Sequence, residues 1–463
     1  MLRSWFFSHL AFLIGFLLAL PVIAKMVRQR RSPAGSLAWL LIMALAPYVG
    51  IPLYLALGGR KMRRLAESKA DLMLVEETAF LRQDLPATDR LLRSYGIPGA
   101  SDGNQLKLCF SGEEGYAALV DLIEGARRTL WVSTFVLSPD RVGNDIINRL
   151  ARRAAAGVEV LVLLDGVGSL HIGGHQLAPL TSAGGKVAYF MPVLHRPFRG
   201  RTNLRNHRKT VIADGCRVWA GGANLANEYI GPEPWPKRWR DLSFLLEGPA
   251  TLHYVSIFSS DWQFAADWQI GLSDEDALPR AAGVGDAFLQ VVPSGPDVDG
   301  DPLYATMVSA VFQAQNRLWI VTPYFIPDET LAQALRLAVH RGVEVRILVP
   351  EQSNHGLADM ARGPYLRDLQ DAGAQILLYQ PGMLHGKAML VDDSVALVGS
   401  ANFDMRSLFL NYETGLLIYS QKEILAVQGW MEDLARSCQA GVEKVGMPRD
   451  IYEGVVRLLA PLL

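Results

Sequence analysis

The segment that decides the fold occurs twice, as TLWVSTFVLSPD at residues 129–140 and as RLWIVTPYFIPD at residues 317–328. Each copy is an apolar run with β-branched and aromatic residues, a composition typical of a buried strand. In both copies a helical pattern and a second apolar run follow, and Gly157 and Gly342 stand where the helix must end. The sequence therefore predicts the same strand-helix-strand unit in two places.

Strands that alternate with helices of this length predict a mostly parallel sheet covered on both faces. We therefore expect an α/β fold of two α/β sandwich repeats related by pseudo-two-fold symmetry. The predicted boundaries are 106–280 for the first repeat and 281–463 for the second, after a connector at 65–105. A chain of 463 residues exceeds what one hydrophobic core usually supports, which agrees with two similar halves.

The excess of apolar residues, in a chain that is 50% hydrophobic, lies at the N-terminus. Two apolar stretches lie at about residues 5–24 and 36–57, and about 20 apolar residues suffice for a helix that crosses a bilayer. We predict that residues 1–64 form a transmembrane helical hairpin. A cleaved signal peptide is the alternative for the first stretch, and a re-entrant segment, favoured by Pro47 and Pro52, is the alternative for the second.

The charge balance is nearly neutral, with 45 Lys and Arg against 46 Asp and Glu. This balance removes the global electrostatic argument for a nucleic-acid partner. The three cysteines, Cys109, Cys216 and Cys438, lie far apart and form no CxxC pair. We therefore predict free thiols, and neither a disulfide framework nor a zinc site.

Each repeat also contains one copy of a polar motif, NHRKTVIADGCRVWAGGAN at residues 206–224 and LHGKAMLVDDSVALVGSAN at residues 384–402. Both copies have the pattern HxKxxxxD, followed by a small-residue segment that ends in Asn. The residues concerned are His207, Lys209, Asp214 and Asn224 in the first copy and His385, Lys387, Asp392 and Asn402 in the second. A single HxK with a downstream Asp is weak, but identical spacing in both repeats favours a catalytic origin.

The spacing of the motif has a physical reason, because residues two apart on a strand point to the same face. Each histidine is therefore predicted beside its lysine. The turns at Asp214-Gly215 and Asp392-Asp393 would return each asparagine to its histidine. Two imidazoles, two ammonium groups and two amides suit a phosphodiester, whose non-bridging oxygens the cations and amides can hold. One histidine can attack phosphorus while the other protonates the departing oxygen, without a metal or another cofactor.

These residues resemble the HKD signature of the phospholipase D superfamily, whose phospholipid-processing members have two copies per chain. Further segments are similar to the cardiolipin synthase family: RRSPAGSLAWLL at 30–41, VVPSGPD at 291–297, TPYFIPDE at 322–329 and NFDMRSLFLNYE at 402–413. The resemblance covers nearly the whole chain. It implies a phosphatidyltransferase that is a multi-pass protein of the bacterial inner membrane, with phosphatidylglycerol and other phospholipids as partners.

The resemblance also implies roles for the motif histidines. His207 would be the nucleophile, and His385 would act first as the acid and then as the base. Asp241 and Glu413 correspond to the acids that orient the two histidines through the second ring nitrogen. Such pairing also favours the charged imidazole.

Secondary roles follow for other residues of the signature. Asp214 and Asp392 would orient or support the site and would not be the main groups that transfer protons. Ser400 belongs to the same phosphate-binding or orienting set as the asparagines and acids, and Gly222 at its place in the first copy is a difference that bears on acceptor or acyl-chain specificity. Arg406 is a candidate for holding a phosphate, and a salt bridge within the fold is its alternative interpretation.

The sequence thus predicts phosphatidyl transfer from one phosphatidylglycerol to another, which gives cardiolipin and glycerol through a phosphatidyl-histidine intermediate. The motifs define phosphodiester chemistry better than they define the acceptor. With water or ethanolamine as the acceptor, the protein would be a phospholipase D-type phosphodiesterase or a different transphosphatidylase. A non-catalytic membrane scaffold is the alternative from another class.

Overall fold

Strands and helices alternate along the chain, as seen in a computed structural model that describes residues 14–15, 17, 19–24, 33–57, 69–74, 86–192, 204–266, 268, 270 and 283–457. The strands are β1 (Ser101–Cys109), β2 (Thr129–Thr134), β3 (Glu159–Asp165), β4 (Lys186–Phe190), β5 (Thr210–Ala213), β6 (Arg217–Gly221), β7 (Ser243–Glu247), β8 (Ala287–Ser294), β9 (Arg317–Val321), β10 (Phe325–Ile326), β11 (Glu344–Pro350), β12 (Gln375–Tyr379), β13 (Ala388–Val391), β14 (Val395–Gly399), β15 (Phe403–Asp404), β16 (Glu413–Ile418) and β17 (Cys438–Ala440). The helices are α1 (Pro33–Leu45), α2 (Pro47–Leu57), α3 (Ala87–Ser94), α4 (Gly112–Gly125), α5 (Arg141–Ala155), α6 (Gly174–Ser182), α7 (Thr251–Ala266), α8 (Pro302–Gln313), α9 (Glu329–His340), α10 (Gly356–Ala372), α11 (Met405–Phe409), α12 (Gln421–Arg436) and α13 (Met447–Arg457).

One continuous sheet carries both repeats, in the strand order β17-β12-β11-β9-β13-β14-β16-β8-β1-β7-β6-β5-β2-β3-β4. Counted outward from the centre, β1-β7-β6-β5-β2-β3-β4 of the first repeat matches β8-β16-β14-β13-β9-β11-β12 of the second, and β17 is added at one edge. The central strands β1 and β8 pair antiparallel. The two halves of the sheet are therefore related by a pseudo-two-fold axis, as predicted.

The two strand-helix-strand units are also confirmed, as β2-α5-β3 and β9-α9-β11 with parallel strands. Asp140 and Asp328 cap the N-termini of α5 and α9, because each side chain accepts a backbone N–H of the first helical turn. Gly157 and Gly342 follow the helices with φ of 90° and 86°. Glycine adopts this left-handed conformation without strain, so it can turn the chain from helix into strand.

The sheet is mixed, however, and the prediction of a mostly parallel sheet is wrong. Only three strands of each repeat are mutually parallel, β2-β3-β4 and β9-β11-β12. The hairpins β5-β6 and β13-β14 are inserted beside them and are antiparallel. A tight turn can join only antiparallel strands, since parallel strands need a crossover connection.

Helices cover both faces of the sheet. The helices α4, α5 and α6 form one apolar core with the first repeat, and α8, α9 and α10 form another with the second. A third core lies under α7 and α12 and contains residues of both repeats, among them Trp131, Trp262, Trp319 and Trp430. Because this core crosses the boundary between the repeats, the two halves pack as one unit.

The second apolar stretch, predicted as one segment at 36–57, forms two helices, α1 of 13 residues and α2 of 11 residues. The break falls at Ala46, because Pro47 has no backbone N–H and begins the next helix. Within the described part of the chain, no helix combines the length and the apolar character that crossing a membrane requires. Much of the stretch predicted at 5–24 lies outside the described residues.

Candidate active site

Each histidine motif lies just before the first strand of its hairpin, where the chain contacts the other repeat. The backbone N–H of His207 donates to the carbonyl of Tyr412 at 2.9 Å, and that of His385 donates to the carbonyl of Arg240 at 2.7 Å. Tyr412 precedes β16 of the second repeat, and Arg240 precedes β7 of the first. The two motif copies therefore meet at the junction of the repeats.

The acid beside each histidine comes from the opposite repeat. Nδ1 of His207 lies 2.9 and 3.0 Å from the two carboxylate oxygens of Glu413. Nδ1 of His385 lies 2.6 Å from Oδ2 of Asp241. Sequence reasoning identified both acids but did not foresee this exchange between the copies. A carboxylate at Nδ1 holds the proton there, so Nε2 of each neutral ring has a free lone pair.

Burial dominates the charge state of both histidines. Loss of hydration lowers the pKa of His207 to about 4, although Glu413 opposes this effect. Burial also lowers the pKa of His385 to about 3, aided by the Lys387 ammonium and opposed by Asp241. The acids do favour the charged imidazoles, as expected, but desolvation outweighs the ion pairs. Both rings are neutral at pH 7, as a nitrogen nucleophile must be.

The two motif lysines lie beside the histidines and are almost fully buried. Nζ of Lys209 donates to the carbonyl of His207 at 2.5 Å. Nζ of Lys387 lies 2.6 Å from Nδ1 and 3.1 Å from Nε2 of His385 and also donates to the His385 carbonyl. Burial lowers the pKa of Lys209 to about 7 and the pKa of Lys387 to about 8. An anion in this site would favour the charged form of both amines.

The second copy has Ser400 where the first has Gly222, because Glu413 and Asp241 are held in different ways. Oγ of Ser400 donates to a carboxylate oxygen of Glu413 at 2.5 Å. Burial alone would raise the pKa of Glu413, but its contacts with His207 and the hydrogen bond from Ser400 contribute to a pKa below the ordinary value. A Cβ at Gly222 would collide with the carboxylate of Asp241, so the first copy has no room for a serine.

The motif asparagines connect the site to neighbouring loops. Oδ1 of Asn224 accepts the backbone N–H of Val136 at 3.1 Å, and the Asn224 side chain also hydrogen-bonds with Tyr229. The Asn402 side chain hydrogen-bonds with Asp404, whose pKa is raised to about 6 by burial. Amide donation from Asn224 or Asn402 to a phosphate stays a prediction.

Asp214 and Asp392 lie in the turns at the far ends of the hairpins, away from the histidines. Asp214 accepts three backbone N–H groups, from residues 127, 128 and 129, at 2.7 to 3.0 Å. Asp392 accepts the equivalent three, from residues 315, 316 and 317, at 2.8 to 3.0 Å. Each carboxylate thus ties its hairpin to the start of β2 or β9. This geometry agrees with an orienting or structural role and does not bring either residue to the reacting groups.

Arg406 stands in the short helix α11, within electrostatic reach of Asp404 and Arg205. The attraction to Asp404 agrees with a salt bridge within the fold, and phosphate binding by Arg406 stays a prediction. Among the residues that the structure describes, no group of three or more His, Cys, Asp or Glu side chains could hold a metal ion.

A buried ion cluster behind the histidines was missed by the sequence analysis. Nη1 of Arg208, which lies between His207 and Lys209 in the motif, donates to both oxygens of Asp261 at 2.7 and 2.8 Å. Nζ of Lys69 lies 2.8 Å from Asp261 and also pairs with Asp297. The four charged side chains are at most 1% exposed. The available signal was a charged residue, Arg208, between two motif residues and just before an apolar strand, but its partners are distant in sequence.

Aromatic rings form the walls around the histidines. The Phe135 ring lies 5.1 Å from the His207 ring, and the rings of Tyr229 and Trp239 lie 4.9 and 5.3 Å from the His385 ring. These rings exclude water, which explains why the histidine pKa values fall although a carboxylate lies beside each ring. The sequence contained no signal for them, because they come from two separate loops, each far in sequence from the motif histidine that it contacts.

Two HxKxxxxD motifs joined at one site by symmetric repeats define a two-repeat protein of the phospholipase D superfamily. A family model described as "Cardiolipin synthase, PLD-like domain" matches residues 119–262 and 307–435. A second model, described as "Phospholipase_D-nuclease N-terminal", matches residues 16–59. The chain therefore belongs to the cardiolipin synthase family and is a phosphatidyltransferase.

Relatives along the full chain agree with this assignment. The chain is 33% identical to cardiolipin synthase A of Pseudomonas entomophila, over 99% of each protein. It is 32% identical to cardiolipin synthase 1 of Bacillus cereus, over 94% of this chain and 90% of the relative. The crystal structure of phosphatidylserine synthase from Haemophilus influenzae Rd KW20 matches with a TM-score of 0.62 and 17% identity, over 81% of this chain and 97% of that chain. This last likeness shows the fold alone.

Proposed function

We propose that the chain transfers a phosphatidyl group from one phosphatidylglycerol to a second, which forms cardiolipin and releases glycerol. The observation that carries the proposal is the exchanged acid pairing at the histidines, Glu413 on His207 and Asp241 on His385. It leaves Nε2 of both imidazoles available at one site, each ring with a lysine beside it. Membership of the cardiolipin synthase family supports a lipid as the acceptor.

In the first step, Nε2 of His207 attacks the phosphorus of one phosphatidylglycerol. The N–P bond forms as the bond between phosphorus and the glycerol oxygen breaks, and protonated His385 donates its Nε2 proton to that oxygen. Glycerol leaves, and the phosphatidyl group stays on His207. Glu413, which contacts Nδ1 of His207, balances the positive charge that the phosphorylated ring acquires.

In the second step, a hydroxyl of another phosphatidylglycerol replaces the departed glycerol. His385, now neutral, accepts the hydroxyl proton while the oxygen attacks phosphorus. The N–P bond breaks and its electron pair returns to His207. Cardiolipin leaves, and His385 again has the proton required for the next cycle.

Substrate binding supplies the proton that His385 needs. The pKa of His385 is about 3 because of burial and the nearby Lys387. A phosphodiester adds a negative charge at the same place, which raises the pKa of the imidazole. The Lys387 ammonium, 3.1 Å from Nε2, is the adjacent proton source. Once Lys387 has given its proton to His385, Lys209 holds the non-bridging oxygens, with Asn224 and Arg406 as additional candidates.

The N-terminal region has its own part in the proposal. Residues 1–64, with apolar segments at about 5–24 and 36–57, would anchor the enzyme as a multi-pass protein of the bacterial inner membrane. The match of residues 16–59 to an N-terminal family model supports a distinct unit there. The proposed units after the anchor are a connector at 65–105, the first repeat at 106–280 and the second repeat at 281–463.

The test uses the full chain in vesicles whose phosphatidylglycerol is labelled separately in the glycerol headgroup and in the acyl chains. We expect cardiolipin and free glycerol in equal amounts, with no effect of a chelator because lysines supply the positive charge. His207→Ala and His385→Ala should each abolish transfer. The matched control is His171→Ala, which changes an exposed histidine outside the motifs.

Other products would change the proposal. Phosphatidic acid as the main product would make the protein a hydrolase, and a new lipid formed with added ethanolamine would make it a different transphosphatidylase. Absence of turnover in a correctly folded wild type, in all of these lipids, would contradict enzymatic activity and favour the scaffold. Transfer that survives both alanine substitutions would refute the histidine mechanism.

A further inference from the structure

The C-terminal helix α13 has an inverted pattern of burial. Its apolar side chains Met447, Ile451, Tyr452 and Val455 are between 55% and 76% exposed. Its inner face, against α10, contains Glu453, which is only 2% exposed. A helix that served only to close a hydrophobic core would bury the apolar residues and expose the charge.

Ion pairs hold the helix in this orientation. Arg367 of α10 lies 2.7 Å from Glu453 and 3.0 Å from Asp450. Val456 adds a small apolar contact, in a cluster that also contains Ile326 of β10. The apolar face therefore points away from the protein because the charged face is fixed against it.

The same cluster connects α13 to the active site. The Tyr324 ring packs on the cluster and lies 5.5 Å from the ring of His355, in the loop after β11. Tyr324 also lies in the segment that follows β9, as Phe135, whose ring contacts His207, follows β2. The helix thus lies beside the active-site loops of the second repeat.

Exposed apolar side chains also occur on the loops that follow the parallel strands of both repeats. Val167 and Leu170, after β3, are 40% and 58% exposed, and Leu357, after β11, is 49% exposed. The carboxyl ends of the parallel strands lie at the edge of the sheet where Phe135 contacts His207. Apolar side chains from both repeats therefore surround the edge at which substrate must enter.

The charges around the apolar face of α13 favour an anionic surface. Lys444, Arg449 and Arg457 are exposed beside it, and so is Glu443; Asp450 is paired with Arg367, and Arg449 also contacts Glu453 of the inner face. The adjoining sequence at 458–463, LLAPLL, is apolar and lies outside the described residues. An apolar helix face bordered by arginine and lysine is typical of helices that lie in the interface of a lipid bilayer.

We propose that α13 docks on the surface of an anionic bilayer and, with the apolar loops, turns the active site toward the lipid from which substrate is drawn. This inference rests on the proposed function, since only a membrane lipid as substrate gives a reason for a bilayer at this edge. The N-terminal anchor brings the enzyme to the membrane, and α13 would set its orientation there.

The first experiment places the fluorophore NBD on Ile451→Cys, in a full-length chain in which Cys216 and Cys438 are serine and buried Cys109 is kept. The protein is reconstituted in phosphatidylglycerol vesicles. We expect a blue-shifted emission that nitroxide-labelled lipid quenches. The matched control is Phe312→Cys, because Phe312 is 50% exposed at the end of α8, near the opposite edge of the sheet, and should show neither effect.

The second experiment compares the double variant Ile451→Gln/Val455→Gln with Phe312→Gln in the transfer assay. We expect the double variant to raise the apparent KM for vesicle phosphatidylglycerol about tenfold, because two apolar side chains lose their burial in lipid. Its activity on a monomeric short-chain phosphatidylglycerol should be unchanged. Phe312→Gln should change neither activity.

The outcomes separate this inference from the proposed function. NBD at position 451 that stays water-exposed in vesicles would overturn the docking. Shielding that depends on protein concentration without lipid would also overturn it, because a second copy would then cover the face. If wild type transfers no lipid while NBD still enters the bilayer, the proposed function fails and the docking stands.

Discussion

At the residue scale, reactivity depends on which imidazole nitrogen is occupied. Glu413 and Asp241 both contact Nδ1, so Nε2 would be the reacting atom of each ring in the proposed mechanism. The two histidines still differ, since Ser400 donates to Glu413 and no hydroxyl has room beside Asp241 at Gly222. This difference does not by itself decide which histidine attacks, so the order needs a chemical test.

The order of the histidines can be tested with a phosphatidyl ester of p-nitrophenol, a leaving group that needs no protonation. We expect His385→Ala to retain a burst of p-nitrophenol and to accumulate the phosphatidyl-enzyme, because only the acid is missing. His207→Ala should show no burst. Rapid-quench measurement with labelled lipid detects the intermediate, and the reverse pattern would assign the attack to His385.

The pH dependence follows from the buried ionisable groups. For kcat/KM we expect a fall as the pH drops toward 4, where His207 takes up a proton and loses its nucleophilic lone pair. We expect a second fall above pH 7 to 8, where Lys209 and Lys387 lose their charge. Both signs follow because burial lowers these pKa values. In Lys209→Arg the fall of kcat/KM at alkaline pH should move to a higher pH, because arginine keeps its charge. A pH profile that does not move would exclude Lys209 as the group responsible for this fall.

At the scale of elements, the hairpins and the connector position the histidines. The turns of both hairpins put a non-glycine residue at positive φ, 53° for Asp214 and 48° for Asp392. Their carboxylates compensate by accepting three backbone N–H groups each. The connector contributes Lys69 to the ion cluster beneath the first motif.

The structural role proposed for the turn aspartates can be tested separately from catalysis at Asp214. We expect Asp214→Ala to lower the free energy of unfolding by about 2 kcal/mol, because three N–H groups lose a charged acceptor. The folded variant should keep kcat within about threefold of wild type, since the carboxylate does not reach the histidines. Denaturant unfolding and assays at low temperature check both values. A loss of kcat without a loss of stability would restore Asp214 to the catalytic set.

Lys69 gives a test of the connector. We expect Lys69→Met to cost about 3 to 5 kcal/mol of stability, because Asp261 and Asp297 would stay buried with too little positive charge. Lys69→Arg should recover part of the loss. The control Lys107→Met changes an exposed lysine of β1 and should be close to neutral. Unfolding of the detergent-solubilised chain measures all three, and an unaffected Lys69→Met would show that the connector is dispensable for folding.

At the scale of the whole molecule, both repeats build a single site. Each repeat supplies one histidine and the acid for the other, and β1 joins β8 across the centre of the sheet. The shared core under α7 and α12 also needs both halves. Neither repeat alone contains a complete acid-histidine pair.

This arrangement predicts no complementation between two inactive chains. His207→Ala and His385→Ala proteins, mixed and reconstituted in the same vesicles, should stay inactive, because both histidines must come from one chain. Cardiolipin formation by the mixture would contradict an intramolecular site and indicate exchange of repeats between copies. A chain with both substitutions serves as the background control.

Much of the fold and the reacting groups could be predicted from the sequence, because the signals are local. The strand-helix-strand units, the turns at Asp214 and Asp392, and the HxK spacing all act over a few residues. Repetition of the pattern then indicated symmetry. The mixed sheet was missed because strand direction depends on connections, and the break at Pro47 was missed because a long apolar run does not show where a helix ends.

The sequence alone thus determined the family and indicated the proposed chemistry: two histidines and two lysines acting on a phosphodiester. Only the tertiary structure decided how the parts are combined. The acid contacts span 206 residues for His207 and 144 residues for His385, and the Lys69 contact to Asp297 spans 228. No local pattern specifies a contact over such distances, because it arises only when the two repeats pack against each other. The same packing decided the charge of the histidines, since burial between the repeats outweighs the acids that the sequence had indicated.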